Sequence, residues 1–337
     1  MKTRVNLGAD SYDIIIERGA INKFSKLTDI NGKVLIVTDS GVPKEYSECL
    51  ASQFEDSFIY TVPEGEKSKN LSEFGKIESY LLEKGFTRKD SVVACGGGVV
   101  GDLAGFASAC FMRGIDFYNF PTTVLSQVDS SIGGKTAVDL DGIKNIIGAF
   151  YQPKAVIIDP DVLGSLPDRQ ISNGLAEAVK MSLTSDGELF ELFETKNIFE
   201  NIDEILFKAI EIKRKVVEQD VKEAGLRMIL NFGHTIGHGI ESEEGLHGLY
   251  HGECVALGML PMCSDSVRER LISVLNKLNL PTEISIDPKK VISAVVHDKK
   301  MRDSTVNAVL VNNIGSFEIK KMTVGEIEQK LSVIIKE

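Results

Sequence analysis

Residues 90–106 read DSVVACGGGVVGDLAGF, an apolar, β-branched run that passes through three glycines directly into an apolar helical segment. Few folds accommodate that junction. A strand apolar on both faces belongs inside a parallel sheet. Gly96, Gly98 and Gly101 stand at GxGxxG spacing, which clears side chains from the turn so that a pyrophosphate can reach backbone N–H groups at a helix N-terminus. The competing reading is a glycine-rich packing turn. The flanking elements favour the nucleotide. Strands are expected at 33–38, 58–62, 90–95 and 155–159 and a strand with its turn over 117–123, with a helix over 71–84 among them and a hairpin over 3–17 in front. Strand–helix alternation of this kind predicts a doubly wound, mostly parallel, Rossmann-like α/β domain over residues 1–160. No acidic residue falls at the usual offset of about 20 residues for a ribose contact. Asp39, at the carboxyl end of the 33–38 strand, is the candidate instead. The stretch 127–136 reads as a Gly/Ser loop. With Asp129, Lys135, Lys144 and Asn145 among small residues, it also has what an anion pocket needs.

Beyond residue 160 the hydrophobic period becomes helical, with segments at 170–184, 187–195, 203–219, 226–241, 252–274 and 324–336. A hairpin over 306–319, turning near Asn312 and Asn313, interrupts this second, mainly α-helical domain of residues 161–337. With no linker between them, the two halves are expected to pack directly around a cleft. Four of the five histidines fall between Leu226 and Met259. His234 and His238 are one helical turn apart and share a face. His251 opens a second helical run. Glu177 and Lys180, three apart in NGLAEAVK, share a face in small, apolar company where a lone carboxylate is costly. Two readings stand: a helix pair with satisfied histidines beside a surface ion pair, or Glu177, His234 and His251 as an N,N,O set with an open position, which suits catalytic Zn2+.

A net charge of −11 and a pI near 5.1 argue against a general nucleic-acid binder. The apolar runs fall far short of the ~18 residues of a membrane span, and the N-terminus lacks a signal peptide's apolar core. Five scattered cysteines without a CxxC pair fit free thiols in a reducing cytoplasm.

PEGEKSK (63–69), GGGVVGDLAGF (96–106), FPTTVLSQVDSSIGGKT (120–136), KNIIGAFYQP (144–153), GLAEAVK (174–180), LNFGHTIGH (230–238) and HGECVALGM (251–259) follow one another in order over nearly the whole chain. In these motifs the chain resembles the 3-dehydroquinate synthases, one branch of the sugar-phosphate cyclases. The resemblance implies a dehydroquinate synthase-like fold. It also implies conversion of a seven-carbon keto acid phosphate (DAHP) to 3-dehydroquinate and phosphate by transient NAD-dependent oxidation, phosphate elimination, re-reduction and aldol closure. By resemblance Glu177, His234 and His251 hold Zn2+ or Co2+. Asp39, Glu66, Lys69, Gly97, Gly98, Val99, Asp102, Thr122 and Thr123 contact NAD, joined by Lys135, Lys144 and Asn145. Asp129, Lys135, Asn145, Lys180, Lys213, Arg227, Asn231 and His238 line the substrate site, and Arg113 and Lys300 reach its phosphate, Arg113 across a homodimer interface. Two departures stand out. Thr136-Ala-Val-Asp139 replaces the family's Thr-Gly-Val-Asn, and Met-Arg-Asp-Ser-Thr follows Lys300 in place of a glycine-containing basic segment. The rivals are a cyclase for another heptulose phosphate, a metal-dependent alcohol dehydrogenase of similar build and a non-catalytic NAD-binding protein.

Overall fold

The computed structural model describes residues 1–222, 225–244, 248–298 and 305–336. Its contacts divide it into two compact units, Met1–Pro167 with Lys213–Glu218, and Asp168–Ile212 with Gln219–Glu337.

The first unit begins with β1 (Lys2–Val5), β2 (Tyr12–Ile16), the single turn α1 (Phe24–Leu27), β3 (Val34–Asp39), α2 (Lys44–Ala51) and β4 (Ser57–Val62). It continues with α3 (Leu71–Glu83), β5 (Ser91–Gly96), α4 (Gly98–Cys110), β6 (Asp116–Pro121), the hairpin β7 (Lys135–Leu140) and β8 (Ile143–Phe150), and β9 (Ala155–Ile158). Seven strands form one sheet in the order β1-β2-β9-β6-β5-β3-β4, in which only β1–β2 is antiparallel. The period-2 pleat sorts its core. Leu35, Val37, Val92 and Ala94 pack on one face with Ile77, Leu81, Leu103 and Ala104, while Val34, Ile36, Val93 and Cys95 pack on the other with Phe24, Leu50 and Phe120. Because β3, β5 and β6 run parallel side by side, their carboxyl ends share one sheet edge. Asp39, the glycines at 96–98 and Thr122–Thr123 therefore come to that edge together.

The stretch 127–136 is not a loop throughout. Residues Ser126–Ser130 form a π-helical turn, and Lys135 starts a strand paired antiparallel with β8, Lys135 opposite Phe150. The strand pattern was hidden because β8 is exposed along most of its length and carries no alternation of apolar and polar residues. Close backbone packing compensates: a Cβ on Gly148 would lie 2.1 Å from the Thr136 carbonyl oxygen.

The second unit holds α5 (Asp168–Ser185), α6 (Gly187–Thr195), most of α7 (Ile202–Gln219), α8 (His234–Glu244), α9 (His251–Met259), α10 (Asp265–Lys277), α11 (Pro288–Asp298), the hairpin β10 (Thr305–Leu310) and β11 (Glu318–Thr323), and α12 (Val324–Leu331). Two expected helices are broken. The segment 226–241 is a 3-10 turn, Leu226–Asn231, followed by α8; Gly233 between them has φ 75° and passes so close to α9 that a Cβ would meet the Val255 carbonyl oxygen at 2.9 Å. The segment 252–274 divides into α9 and α10 through a short turn containing Pro261, which cannot donate the helical N–H. Helix α11 lies outside the expected segments. Among the described residues no helix is long and apolar enough to cross a membrane.

Candidate metal centre and nucleotide turn

Helix α5 is polar at its ends and buried in its middle. Its central residues Gly174–Thr184 are almost all small or apolar, yet Glu177 and Lys180 are only 1 % and 2 % exposed. Three apart, they face the same way, and the Lys180 ammonium donates to Glu177 Oε2. The other carboxylate oxygen, Oε1, is buried, and among the described residues no hydrogen-bond donor reaches it. Instead the Nε2 atoms of His234 and His251 each stand 3.6 Å from it. A buried carboxylate oxygen facing two imidazole nitrogens without a hydrogen bond is an unbalanced arrangement for a protein interior. It becomes balanced around a cation. Ligand atoms at about 2.0–2.1 Å from a tetrahedral zinc stand roughly 3.4 Å apart, and the three donor atoms all lie within 4.8 Å of one another. The residues fit a metal ion.

The far side of each imidazole is also held. His234 Nδ1 lies 3.1 Å from the Phe232 carbonyl oxygen, and His251 Nδ1 lies 3.0 Å from Glu241 Oε2. Both acceptors place the ring proton on Nδ1 and leave Nε2 to face Glu177. Burial alone pushes the Glu177 carboxyl up, but the Lys180 charge, aided by both imidazoles, holds it well below the usual carboxylate range. Burial, reinforced by Lys180, holds the His234 imidazole far below its ordinary value, so it is neutral. Burial also opposes charge on His251, yet the two carboxylates beside it, Glu177 facing Nε2 and Glu241 bonded at Nδ1, push it up to about 9.

Glycines set the spacing of these helices. A Cβ on Gly258 of α9 would lie 2.0 Å from the Gly233 carbonyl oxygen, and one on Gly252 would lie 1.9 Å from the Asn173 carbonyl oxygen of α5. The Gly252 N–H donates to Asn173 Oδ1 at 2.6 Å, which fixes the residue beside His251 to the helix that carries Glu177. Arg169, at the start of α5, donates through two nitrogens to the buried Glu253 at 2.7 Å each and also to the Gly248 carbonyl. Its guanidinium lies over the Tyr250 ring. His238 sits one turn beyond His234, its ring centroid 6.0 Å from that of His251. Arg227, 1 % exposed, donates to the Val221 carbonyl, while Asp220 accepts from the backbone of Gly225 and Arg227. Asn231 closes the 3-10 turn that follows.

In the first unit the N-terminus of α4 has Gly97 at its cap and no side-chain cap, leaving backbone N–H groups directed past glycine. A Cβ on Gly98 would lie 3.1 Å from Ser130 Oγ, and one on Gly97 would lie 3.3 Å from the Thr123 methyl. Val99 follows in the first turn. Lys69, 5 % exposed, pairs at 3.0 Å with both Glu66 and Asp102. Burial pushes the Asp102 carboxyl up to about 6 against the pull of Lys69. Asp39 Oδ1 accepts from the N–H groups of Gly41 and Val42, and burial raises its carboxyl. These features fit a dinucleotide phosphate on the helix N-terminus. Lys213 pairs with Asp129 at 2.5 Å. Asn145 adopts a left-handed backbone, φ 56°, and its N–H donates to Asp139 Oδ1 at 2.8 Å, so the carboxylate that departs from the family pattern braces this turn. Lys135 and Lys144 are exposed on the hairpin, and Arg113 is exposed at φ 67°. Lys300 lies outside the described residues.

Sequence reasoning overlooked Glu241, Asn173, Arg169 and Glu253. Glu241 had a usable signal: it is seven residues past His234 on the same helical face. The Arg169–Glu253 pair had none.

Residues 59–173 match the family described as 3-dehydroquinate synthase N-terminal, and residues 174–301 the one described as 3-dehydroquinate synthase C-terminal. The 3-dehydroquinate synthase of Clostridium acetobutylicum is 41% identical over 357 residues, covering 99% of this chain and 100% of its own. Among solved structures, 2-deoxy-scyllo-inosose synthase complexed with carbaglucose-6-phosphate, NAD+ and Co2+ superposes with a TM-score of 0.90 at 24% identity, covering 98% of this chain and 99% of that one. The 2-epi-5-epi-valiolone synthase of Streptomyces hygroscopicus subsp. jinggangensis 5008, with NAD+ and Zn2+ bound, gives 0.86 at 26% identity, covering 96% of each chain.

Proposed function

The chain belongs to the 3-dehydroquinate synthase family, and from that membership we propose how its own residues divide the family's reaction. That reaction converts DAHP to 3-dehydroquinate and phosphate within the shikimate pathway of aromatic amino-acid biosynthesis. The observation that carries the reading is the buried Glu177 Oε1 with two imidazole nitrogens at 3.6 Å and, among the described residues, no hydrogen bond of its own.

Residues 1–160 hold NAD and residues 161–337 hold the metal and much of the substrate. Glu177, His234 and His251 are the ligands of Zn2+, with Co2+ an alternative. When bound, the metal supplies Lewis acidity that lowers the pKa of the substrate hydroxyl to be oxidised, and NAD accepts and returns the electrons. The glycines at 97–98, with Val99, Thr122 and Thr123, let the pyrophosphate approach the α4 N-terminus. Asp39, Glu66, Lys69 and Asp102 orient the remainder of the nucleotide, with Lys144 at its border.

Charge governs the other roles. Arg227 presents a guanidinium to the substrate carboxylate, where a fork of donors matches two oxygens. Lys135, Lys180 and Lys213 neutralise oxygens on which negative charge grows. Asp129 keeps the Lys213 ammonium in place, and Asn231 and Asn145 orient hydroxyl groups. His238, on the face of α8 that carries His234 but outside the ligand set, moves protons to and from the substrate. Arg113 and Lys300 take the phosphate. The working form is a homodimer, and five free thiols suit a reducing cytoplasm.

The test is phosphate release from DAHP with catalytic NAD+, before and after chelation, on the wild type and on Glu177→Gln. Loss of both metal and activity in the variant is expected. Full activity with little metal bound would refute the assignment.

A further inference from the structure

The ring of His251 stands between two carboxylates, Glu177 at Nε2 and Glu241 at Nδ1. Glu241 belongs to α8, seven residues and about two turns beyond His234, so one helical face delivers both a ligand and the outer partner of a ligand carried by α9. We propose that Glu241 is a positioning residue of the metal centre, fixing the orientation and tautomer of His251 so that its Nε2 lone pair meets the ion. The inference rests on Glu177, His234 and His251 being the ligand set.

Three observations support it. The Nδ1–Oε2 separation of 3.0 Å is that of a hydrogen bond to a carboxyl oxygen. Among the described residues His234 has a peptide carbonyl rather than a carboxylate behind it, at 3.1 Å, so the two imidazoles differ in what supports them and His251 is the one made more electron-rich. The glycine contacts that seat α8 on α9 leave little room for the ring and its partner to separate; a Cβ on Gly237 would lie 3.0 Å from the Cys254 carbonyl oxygen. A different use of the same groups is conceivable chemically, because His238, Glu241 and His251 also bring donor atoms within 4.8 Å of one another. An ion there would make Glu241 a ligand and would occupy Nδ1, which the proposal assigns to a proton.

Zinc binding separates these arrangements. Wild-type protein, Glu241→Ala, Glu241→Gln and Glu177→Gln are titrated with Zn2+ against a chromophoric chelator. Stoichiometry is counted, and the visible absorption of the Co2+-loaded forms is recorded. Thermal melts of the metal-free proteins report folding. The proposal expects one ion per chain in the wild type and about 10–100-fold weaker zinc binding in Glu241→Ala. It also expects a shifted Co2+ band in Glu241→Ala and an intermediate loss in Glu241→Gln, whose amide oxygen still accepts from Nδ1. Wild-type affinity and an unchanged Co2+ spectrum in Glu241→Ala would overturn it. So would two ions in the wild type with one lost in that variant, since Glu241 would then be a ligand. Should Glu241→Ala not fold, Glu241→Gln carries the same comparison. Unweakened zinc binding by Glu177→Gln would instead overturn the ligand set, and that failure is read in its own variant.

Discussion

Gly252→Ala adds one methyl group beside the proposed metal centre, and the packing there sets its effect. The new Cβ would lie 1.9 Å from the Asn173 carbonyl oxygen, 2.8 Å from the carbonyl carbon and 2.9 Å from Oδ1. Carbon and a carbonyl oxygen come into contact at about 3.3 Å, so relief requires a shift of about 1.4 Å. The atom in the way is backbone in the middle of a well-buried helix, so α9 must move away from α5. His251 is the adjacent residue and moves with it. Metal sites tolerate about 0.2 Å in ligand distance, so a shift several times larger removes one of the three proposed ligands. Overpacking costs about 1–3 kcal/mol, and lengthening the 2.6 Å bond from the Gly252 N–H to Asn173 Oδ1 adds a similar amount. The expected result is at least ~100-fold weaker zinc binding and a comparable fall in turnover, since misplacements of about 1 Å cost that much at reacting centres. Chelator competition, phosphate release and calorimetry measure the three effects. Gly164→Ala, where among the described residues nothing lies within 4 Å of the added carbon, is the matched control. If Gly252→Ala binds zinc and turns over as the wild type does, the claim that α5–α9 contact sets the ligand geometry is wrong.

Two other predictions concern the first unit. Burial pushes the half-buried Glu78 up from 4.5 to about 7, and among the described residues its Oε1 has no hydrogen-bond partner. A carboxyl raised by folding destabilises only where it is ionised. The penalty is absent below pH 4.5, grows through the interval up to about 7 and is complete above it. Glu78→Gln is therefore expected to stabilise by about 1–3 kcal/mol at pH 8 and by almost nothing at pH 4.5; equal melting gains at both pH values would contradict the cause assigned. Lys69→Met leaves Asp102 ionised without its buried partner, so the carboxyl should climb beyond about 6. The variant is expected to lose about 1–3 kcal/mol more stability at pH 8 than at pH 5 and to bind NAD about tenfold more weakly by titration. An NAD affinity equal to that of the wild type would remove Lys69 from the nucleotide site.

What the sequence could reveal depended on whether a residue's environment is written close to it in the chain. The GGGVVGD turn was legible because strand, turn and helix are contiguous, so the sheet edge that gathers Asp39, Gly98 and Thr122 follows from local pattern and parallel topology alone. Glu177 was partly legible: a carboxylate amid GLA and AV is costly to bury alone, which left a surface ion pair and a metal ligand both open, and the structure adds that Lys180 bonds one of its two oxygens. Glu241 was only half legible: its place on the His234 face could be read, but an acid three residues from the end of an amphipathic helix ordinarily faces water, and the arrival of α9 turns it into a partner for His251. Breaks in periodic segments were hidden for a related reason. His234 and His238 keep their helical spacing whether or not the helix begins at Leu226, so the pattern could not show that Gly233 interrupts it. That interruption matters to the chemistry. It places His234 in the first turn of α8 with its Nδ1 against the carbonyl of Phe232, which an uninterrupted helix would have committed to a backbone N–H. The glycine that defeats the helix prediction thus also frees the acceptor that orients a proposed ligand, and a Gly233→Ala variant, strained at φ 75° and meeting the Val255 carbonyl at 2.9 Å, should lose zinc affinity together with stability. A variant that lost stability but kept full zinc affinity would show that His234 is oriented by something other than this break.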